Sequence, residues 1–199
     1  MSEQQVDGSK RTWLITSACA GAVGGGFAAV PFVSSFSPSE QAKAAGAAVE
    51  ADISNLKPGE KMTVEWRGKP VWIVRRTTEQ VAALVKNDAT LADPKSERKP
   101  GELTPEYARN EGRSIKPEVF VAVGICSHLG CSPSEKFQPG AQASLPDDWN
   151  GGFLCPCHGS TFDMAGRVYK NKPAPDNLEV PPHMYLSDNR LLIGEDKKA

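Results

Sequence analysis

Two short segments decide the fold: Cys126-Ser127-His128-Leu129-Gly130-Cys131 and Cys155-Pro156-Cys157-His158-Gly159-Ser160. They contain four of the five cysteines and two of the three histidines of a 199-residue chain. Each offers thiolate and imidazole donors on a short loop that contains glycine, a residue that permits tight turns. Two sulfur and two nitrogen donors suit a tetrahedral zinc ion, or a [2Fe-2S] cluster whose two irons have different ligands.

The amino-terminal part of the chain predicts a single membrane span. Residues 12–39 include no Asp, Glu, Lys or Arg, and residues 13–36 would rise about 36 Å as a helix, enough to cross a hydrocarbon core about 30 Å thick. A buried helix of a soluble protein or a cleaved signal peptide is the alternative. Lys10 and Arg11 precede the span, so the positive-inside rule predicts a cytoplasmic amino terminus and places the rest of the chain outside. Residues 9–14 also resemble a twin-arginine export signal in which Lys10 replaces the first arginine.

Cys131 and Cys157 help to decide between zinc and a cluster. In the oxidising space outside the membrane, two leftover cysteines on neighbouring loops are expected to form a disulfide. An all-thiolate zinc site would instead use all four sulfurs and leave His128 and His158 without a role. The pattern therefore favours the cluster, with a zinc-stabilised structural module as the alternative.

The rest of the chain predicts an antiparallel β domain. The net charge of the whole chain is −1, which excludes the basic surface that nucleic-acid binding needs. Alternating apolar residues predict a hairpin over 61–74 and a buried strand over 119–125, and a helix is expected over 77–86. Residues 88–118 are polar and contain four prolines, which indicates a long surface excursion. Further short strands are expected near residues 167–169, 178–180, 184–186 and 191–193.

These elements divide the chain into four parts. We expect a cytoplasmic tail, a transmembrane anchor, a weakly helical flexible tether and an all-β head domain, a sandwich into which a two-loop cluster-binding subdomain is inserted. Trp66 and Trp72 are expected in the core, and His183 on a surface strand. The four parts are residues 1–11, 12–36, 37–51 and 52–199, and the inserted subdomain spans about 124–175.

Both loops resemble those of the Rieske iron-sulfur subunits of bacterial ubiquinol-cytochrome c reductase (respiratory complex III). The anchor, the tether, Trp66-Arg67-Gly68-Lys69-Pro70-Val71 and the later Pro173-Ala174-Pro175 resemble the same family in the same order. The resemblance therefore covers nearly the whole chain. A Rieske subunit of a different redox system, such as a ferredoxin that serves an oxygenase, is the alternative.

The resemblance implies a role for each of these residues. Cys126 and Cys155 would bind the inner iron, His128 and His158 the outer iron, and Cys131 and Cys157 would form a disulfide. Ser160 would donate a hydrogen bond to a cluster sulfide, and His158 would face the quinol hydroxyl and accept its proton. A collar at the quinone pocket of cytochrome b would consist of Leu129, Gly130, Pro173, Ala174 and Pro175.

The implied function is oxidation of ubiquinol and electron transfer to a c-type cytochrome, coupled to proton release, as one subunit of a membrane oxidoreductase. The head domain would lie in the periplasm, anchored in the bacterial inner membrane. Two features depart from the family: the 26 residues between His128 and Cys155 include an inserted loop, and Phe162 stands where the family often has a tyrosine that donates to a ligand sulfur.

Overall fold

The computed structural model describes residues 8–40, 46–99 and 101–196. The chain forms two compact units, Met1–Ala44 and Ala45–Ala199. Part of the predicted tether, residues 41–45, lies outside the described residues.

The first unit contains one long helix, α1, Gly8–Ser34. It begins before the predicted anchor, so Lys10 and Arg11 belong to its first turns. It is long and apolar enough to cross a membrane, and none of its residues is buried within the chain. Pro31 lies inside the helix, whose final turn continues to Ser34 and is followed by a hydrogen bond from the Ser35 amide to the Pro31 carbonyl (3.1 Å).

In its described residues, the second unit contains nine strands in three antiparallel sheets, which confirms the predicted fold class. The sheet orders are β1-β9-β8, β2-β3-β4 and β5-β6-β7. The strands are β1 Val49–Asp52, β2 Lys61–Trp66, β3 Lys69–Arg75, β4 Val119–Val123, β5 Ser134–Lys136, β6 Gly152–Leu154, β7 Thr161–Asp163, β8 His183–Ser187 and β9 Arg190–Ile193.

The sheet β2-β3-β4 is central because both of its faces are covered. Successive side chains of a strand point to opposite faces. Val71 and Ile73 of β3 therefore belong to one apolar core with residues of β9. Trp72 belongs to a second core, which contains Cys126 and Cys155. The central sheet thus lies between a core that packs against β1-β9-β8 and a core that carries the two loops. Alternate residues of β3 pack into different cores.

Several predicted elements differ in the structure. The expected helical tether ends earlier, because β1 pairs with β9 from Val49 onward. The helix expected over 77–86 is shorter: α2 is Thr78–Ala83, with a capping box between Thr77 and Gln80, and a 3-10 helix follows over Val85–Thr90. Residues 178–180 form no strand; the Leu178 amide donates instead to the Gly166 carbonyl (2.8 Å). Near 167–169, the structure contains only isolated bridges.

Two predictions about exposure were wrong. The segment 88–118 is not a surface excursion throughout, because Leu91, Ala108 and Arg113 are buried. His183 is buried as well: its Nδ1 lies 2.8 Å from the Pro181 carbonyl, and its amide donates to the Tyr107 hydroxyl (2.9 Å). Hydrogen bonds offset the burial of the polar groups: Arg113 donates to the carbonyls of Ala165 and Leu178, and the His183 ring and amide both have partners.

Candidate metal centre

The two loops are closed by the same pair of backbone hydrogen bonds. The amides of Cys126 and Cys155 each donate to the carbonyl of the residue five positions later, both at 2.8 Å. The glycine at the fifth position of each loop then donates back to that cysteine, Gly130 at 3.1 Å and Gly159 at 3.0 Å. Both glycines have positive φ, 80° and 73°, which a side chain would strain. The loops are therefore two copies of one turn.

This arrangement separates the sulfur donors from the nitrogen donors. Cys126 and Cys155 are free thiols and are both buried, each 2% exposed. His128 is half-buried and His158 is exposed, and their ring centroids lie 4.8 Å apart with nearly perpendicular planes. The structure thus brings the four predicted ligands to one site, with the thiols inside and the imidazoles toward the surface.

Cys131 and Cys157 form a disulfide that joins the two loops, as predicted. The sulfurs of Cys131, Cys155 and Cys157 lie within 4.8 Å of one another. A disulfide sulfur is not a thiolate and does not supply the ligand that a metal needs. The available sulfur donors are therefore Cys126 and Cys155, which fits two thiolates and two imidazoles better than an all-sulfur zinc site.

Burial affects the protonation of the inner thiols. It raises the pKa of the Cys126 thiol, an effect opposed by hydrogen bonds from the His128 backbone and the Ser160 side chain. A thiol must lose its proton to bind a metal. Metal binding at this site therefore releases protons.

A third loop, residues 173–176, is attached to both cysteine loops. Ser160 Oγ accepts a hydrogen bond from the Ala174 amide (2.9 Å). Ser127 Oγ donates to the Asp176 carbonyl (2.6 Å) and accepts from the Asp176 amide (3.3 Å). Ser127, the second residue of the first turn, and Ser160, the last residue of the second, thus hold the third loop beside the site.

The predicted collar is exposed except at one residue. Leu129 is 70% exposed and Gly130, Pro173 and Pro175 are also exposed. Ala174 is buried at 3% exposure, because its amide is turned inward to Ser160. The surface that a partner can touch is therefore formed by the other four residues.

Sequence reasoning did not find Ser127, nor the two basic residues that hold the third loop from outside. Arg98 donates to the Pro175 carbonyl (2.6 Å), and Lys99 forms an ion pair with Asp176 (2.7 Å). Both belong to the supposed surface excursion, more than 70 residues away in the chain. No local pattern marks such long-range contacts.

The inserted loop between His128 and Cys155 is anchored to the domain. Trp149 is buried, its Nε1 donates to the Lys136 carbonyl (2.8 Å), and its ring lies beside Tyr169 with centroids 5.6 Å apart. The Gly140 amide donates to the Trp149 carbonyl (2.8 Å). These contacts make the insertion part of the packed structure.

Twin loops with this donor set, on an antiparallel β domain, define the Rieske class of iron–sulfur proteins. Residues 106–182, which include both loops, match the family model of the Rieske [2Fe-2S] domain. Residues 1–39 match the model described as the ubiquitinol-cytochrome c reductase Fe-S subunit TAT signal. The cofactor of this domain is therefore a [2Fe-2S] cluster.

Similarity to individual proteins extends over the whole chain. It is 56% identical over 198 residues to the ubiquinol-cytochrome c reductase iron-sulfur subunit of Allochromatium vinosum, covering 99% of this chain and 94% of that protein. It is 39% identical over 182 residues to the subunit of the same name from Bradyrhizobium diazoefficiens, covering 90% of each. The chain belongs to the family of ubiquinol-cytochrome c reductase iron-sulfur subunits.

Proposed function

We propose that Cys126, His128, Cys155 and His158 hold the [2Fe-2S] cluster, through which the subunit takes electrons from ubiquinol and delivers them to a c-type cytochrome. The observation that carries the proposal is the pair of identical turns, which bury two free thiols and direct two imidazoles outward. An asymmetric ligand set needs this separation, because each iron takes one type of ligand.

The ligand types set the potential range. Imidazole is neutral where thiolate is anionic, so two histidines leave the site less negative and easier to reduce, with potentials of about −150 to +300 mV. Cys126 and Cys155 supply the two thiolates from the apolar side. Their burial keeps water away from the sulfur ligands.

His158 is the residue that meets the quinol. It is exposed at the tip of the second loop, and an imidazole bound to metal through one ring nitrogen keeps the other for a proton. We assign to this second ring nitrogen of His158 the acceptance of the quinol hydroxyl proton; the cluster, when bound, would supply the acceptor for the electron. A midpoint potential that falls with rising pH from about 6 to about 10 is expected, and a midpoint that stays constant over this range would contradict the role of His158.

The exposed collar supports a docking role. Leu129, the residue after His128, exposes an apolar side chain where water-facing residues are usually polar. Pro173 and Pro175 extend the same surface. We assign these residues to the contact with the quinone pocket of cytochrome b.

The amino-terminal unit supports membrane attachment. With α1 as a single span in the bacterial inner membrane, Lys10 and Arg11 would remain in the cytoplasm and the Rieske domain would lie in the periplasm. The segment between α1 and β1 then acts as the tether that lets the head reach two partners in turn. Gly46→Pro should slow quinol oxidation and leave the cluster spectrum unchanged; loss of the spectrum would indicate a folding role instead.

The decisive experiment is an electron paramagnetic resonance spectrum of the ascorbate-reduced, detergent-solubilised full chain, together with iron, sulfide and zinc analysis. A rhombic signal from a half-reduced iron pair, with two irons and two acid-labile sulfides per chain, is expected. A colourless protein that carries zinc would overturn the proposal.

A further inference from the structure

Among the described residues, two arginines beside the cluster-binding loops are buried without a directly bound carboxylate. Arg76 and Arg113 are 2% and 0% exposed. Within residues 8–40, 46–99 and 101–196, neither forms an ion pair with a carboxylate. Buried arginines are nearly always paired, since an isolated charge is costly to remove from water. Their presence therefore requires an explanation.

Within the described part of the chain, both guanidinium groups donate their hydrogen bonds to neutral oxygens, and Arg76 also lies over the Phe120 ring, 5.4 Å from its centroid. Arg76 donates to the carbonyls of Gly112 (2.8 Å) and Met164 (3.3 Å) and to the hydroxyl of Ser114 (2.8 Å). Its Nε has no partner among the described residues. Hydrogen bonds to carbonyl dipoles reduce the cost of burial, but they leave the unit charge in place.

Arg113 binds the same segment from another direction. It donates to the carbonyls of Ala165 (3.0 Å), Gly166 (3.3 Å) and Leu178 (2.7 Å), and its nearest hydroxyl is that of Thr104 (2.7 Å). Burial lowers the pKa of Arg76 and of Arg113 to about 10. Both side chains therefore remain cationic at neutral pH.

A third buried arginine shows what compensation looks like. Arg167 is 0% exposed and forms two ion pairs, with Asp163 and with Asp88, both at 2.8 Å. Asp163 is fully buried, whereas Asp88 has 43% of its side chain exposed. The three arginines, which we call the arginine group, thus have these two carboxylates as direct partners, both of them on Arg167.

The arginine group lies close behind the second ligand loop. Met164, whose carbonyl Arg76 binds, is four residues after Ser160, a chain distance of at most about 14 Å. Met164 and Ala165 belong to the same continuous apolar core as Cys126 and Cys155. Because Arg76 and Arg113 are themselves buried against this core, salt screens their interaction with the ligands weakly.

We propose that Arg76 and Arg113 stabilise the reduced state of the metal centre and raise its midpoint potential. The inference rests on the proposed ligation. Two ferric ions, two sulfides, two thiolates and two neutral imidazoles have no net charge, so one electron from a donor such as ascorbate leaves one negative charge at the site. Asp163 acts on both guanidinium groups at longer range, as do Glu118 on Arg76 and Asp93 on Arg113, but none of these carboxylates forms an ion pair with them. Two positive charges without a directly bound carboxylate, acting across a low-dielectric core, favour the reduced state. The arginine group thereby supplies favourable charge in a chain where Phe162 offers no hydroxyl.

The first test changes the net charge without disturbing a buried arginine. Asp88→Asn keeps a hydrogen-bond acceptor for Arg167 and removes one negative charge from the arginine group. A positive shift of the midpoint is expected in voltammetry of the full holo-chain. Asp188→Asn is the matched control, because it removes the carboxylate of an exposed ion pair with Lys116 at the β8–β9 turn. Equal midpoints in the two variants would overturn the proposal.

The second test separates charge from packing at Arg76. Arg76→Lys keeps the charge and Arg76→Met removes it, and both lose the forked hydrogen bonds. A midpoint that falls in the Met variant and is largely retained in the Lys variant supports the proposal. Equal falls would show a purely positional role, and no fall in either variant would show no role. If Arg76→Met does not fold, Asp88→Asn decides. The resonance signal is recorded for every sample, because its absence in the unmodified chain would overturn the ligation itself.

Discussion

The two faces of the central sheet are held by different kinds of interaction. Toward β1-β9-β8, most contacts are aliphatic, as at Ile73 and Val121, with Trp66 as the buried aromatic residue. Toward the loops, Trp72 stacks on Phe153 with ring centroids 5.0 Å apart, and the arginine group binds successive carbonyls behind the ligands. The first face needs only volume and apolarity, whereas the second needs defined geometry. The comparison predicts that changes on the first face alter stability, and that changes on the second alter the metal centre.

The largest expected effect is the loss of the metal centre alone. Cys126→Ser removes one buried thiol and should reduce the resonance signal and quinol oxidation to background, since serine does not replace a thiolate on iron. The far-UV circular dichroism of the β domain should persist, because the aliphatic face is unchanged. Cys19→Ser, at the exposed cysteine of α1, is the control and should retain signal and activity. A Cys126→Ser protein with a normal signal would refute the assignment.

Ile73→Ala probes the opposite face. Ile73 is 0% exposed, and its truncation should lower the free energy of unfolding by about 2–5 kcal/mol in denaturant titrations. The midpoint potential should not change. Val85→Ala, at a valine 57% exposed, should alter stability by less than about 0.5 kcal/mol. A clear midpoint shift in Ile73→Ala would break the separation between the two faces.

Phe162→Tyr tests whether the face of the central sheet toward the two loops controls the midpoint potential. Phe162 is fully buried in the core that contains the ligand cysteines. A hydroxyl that donates to a ligand sulfur favours the reduced state by about 1 kcal/mol, or about 40 mV for one electron. Film voltammetry should therefore show a higher midpoint, and Phe137→Tyr, at a half-buried ring, should not. An unchanged or lower midpoint in Phe162→Tyr would contradict this account.

Ser127→Ala should loosen the third loop. The variant loses both hydrogen bonds to the backbone of Asp176, worth about 1 kcal/mol in local stability. Faster hydrogen exchange at the Asp176 amide is the expected readout. Ser134→Ala, at an exposed residue of β5, should leave that exchange rate unchanged. Equal rates in Ser127→Ala and the unmodified chain would show that the contacts from Ser160, Arg98 and Lys99 hold the loop without Ser127.

The smallest effect concerns how the stability of the domain depends on pH through His183, the first residue of β8. Burial lowers the pKa of His183, a shift that the Pro181 carbonyl and Asp196 partly oppose. The unfolded chain therefore binds a proton at higher pH than the folded chain. Stability from this residue is present above about pH 6.5 and is lost as the pH falls toward the folded-state pKa. His183→Gln should flatten this part of the stability curve in denaturant titrations at pH 7.5 and 5.5, and an unchanged slope would contradict the assignment.

Local patterns predicted those parts of the molecule that depend on local chemistry. The alternation in β2, β3 and β4 predicted the central sheet, because one face of each strand must be apolar. The scarcity of cysteine and histidine located both ligand loops, and the Cys131–Cys157 disulfide is confirmed. The assignment of individual ligands to the cluster stays a prediction.

Long-range contacts could not be predicted in the same way. Arginine is a residue type usually found on the surface. The burial of Arg76, Arg113 and Arg167 depends on carbonyls that the fold brings to them from distant segments. His183 escaped prediction for the same reason, since Tyr107 is 76 residues away. Most of β1 falls within the predicted tether, because this four-residue strand forms only by pairing with β9, which is distant in the sequence.

The matching turns have a consequence for how the subunit acquires its cofactor. Each turn is closed by main-chain hydrogen bonds, so its backbone holds this shape without a bond to iron. The conformational entropy of the loops is then lost when the polypeptide folds, and iron and sulfide can bind to a site that is already formed. Loss of the inorganic core would accordingly be followed by reloading rather than by renewed folding.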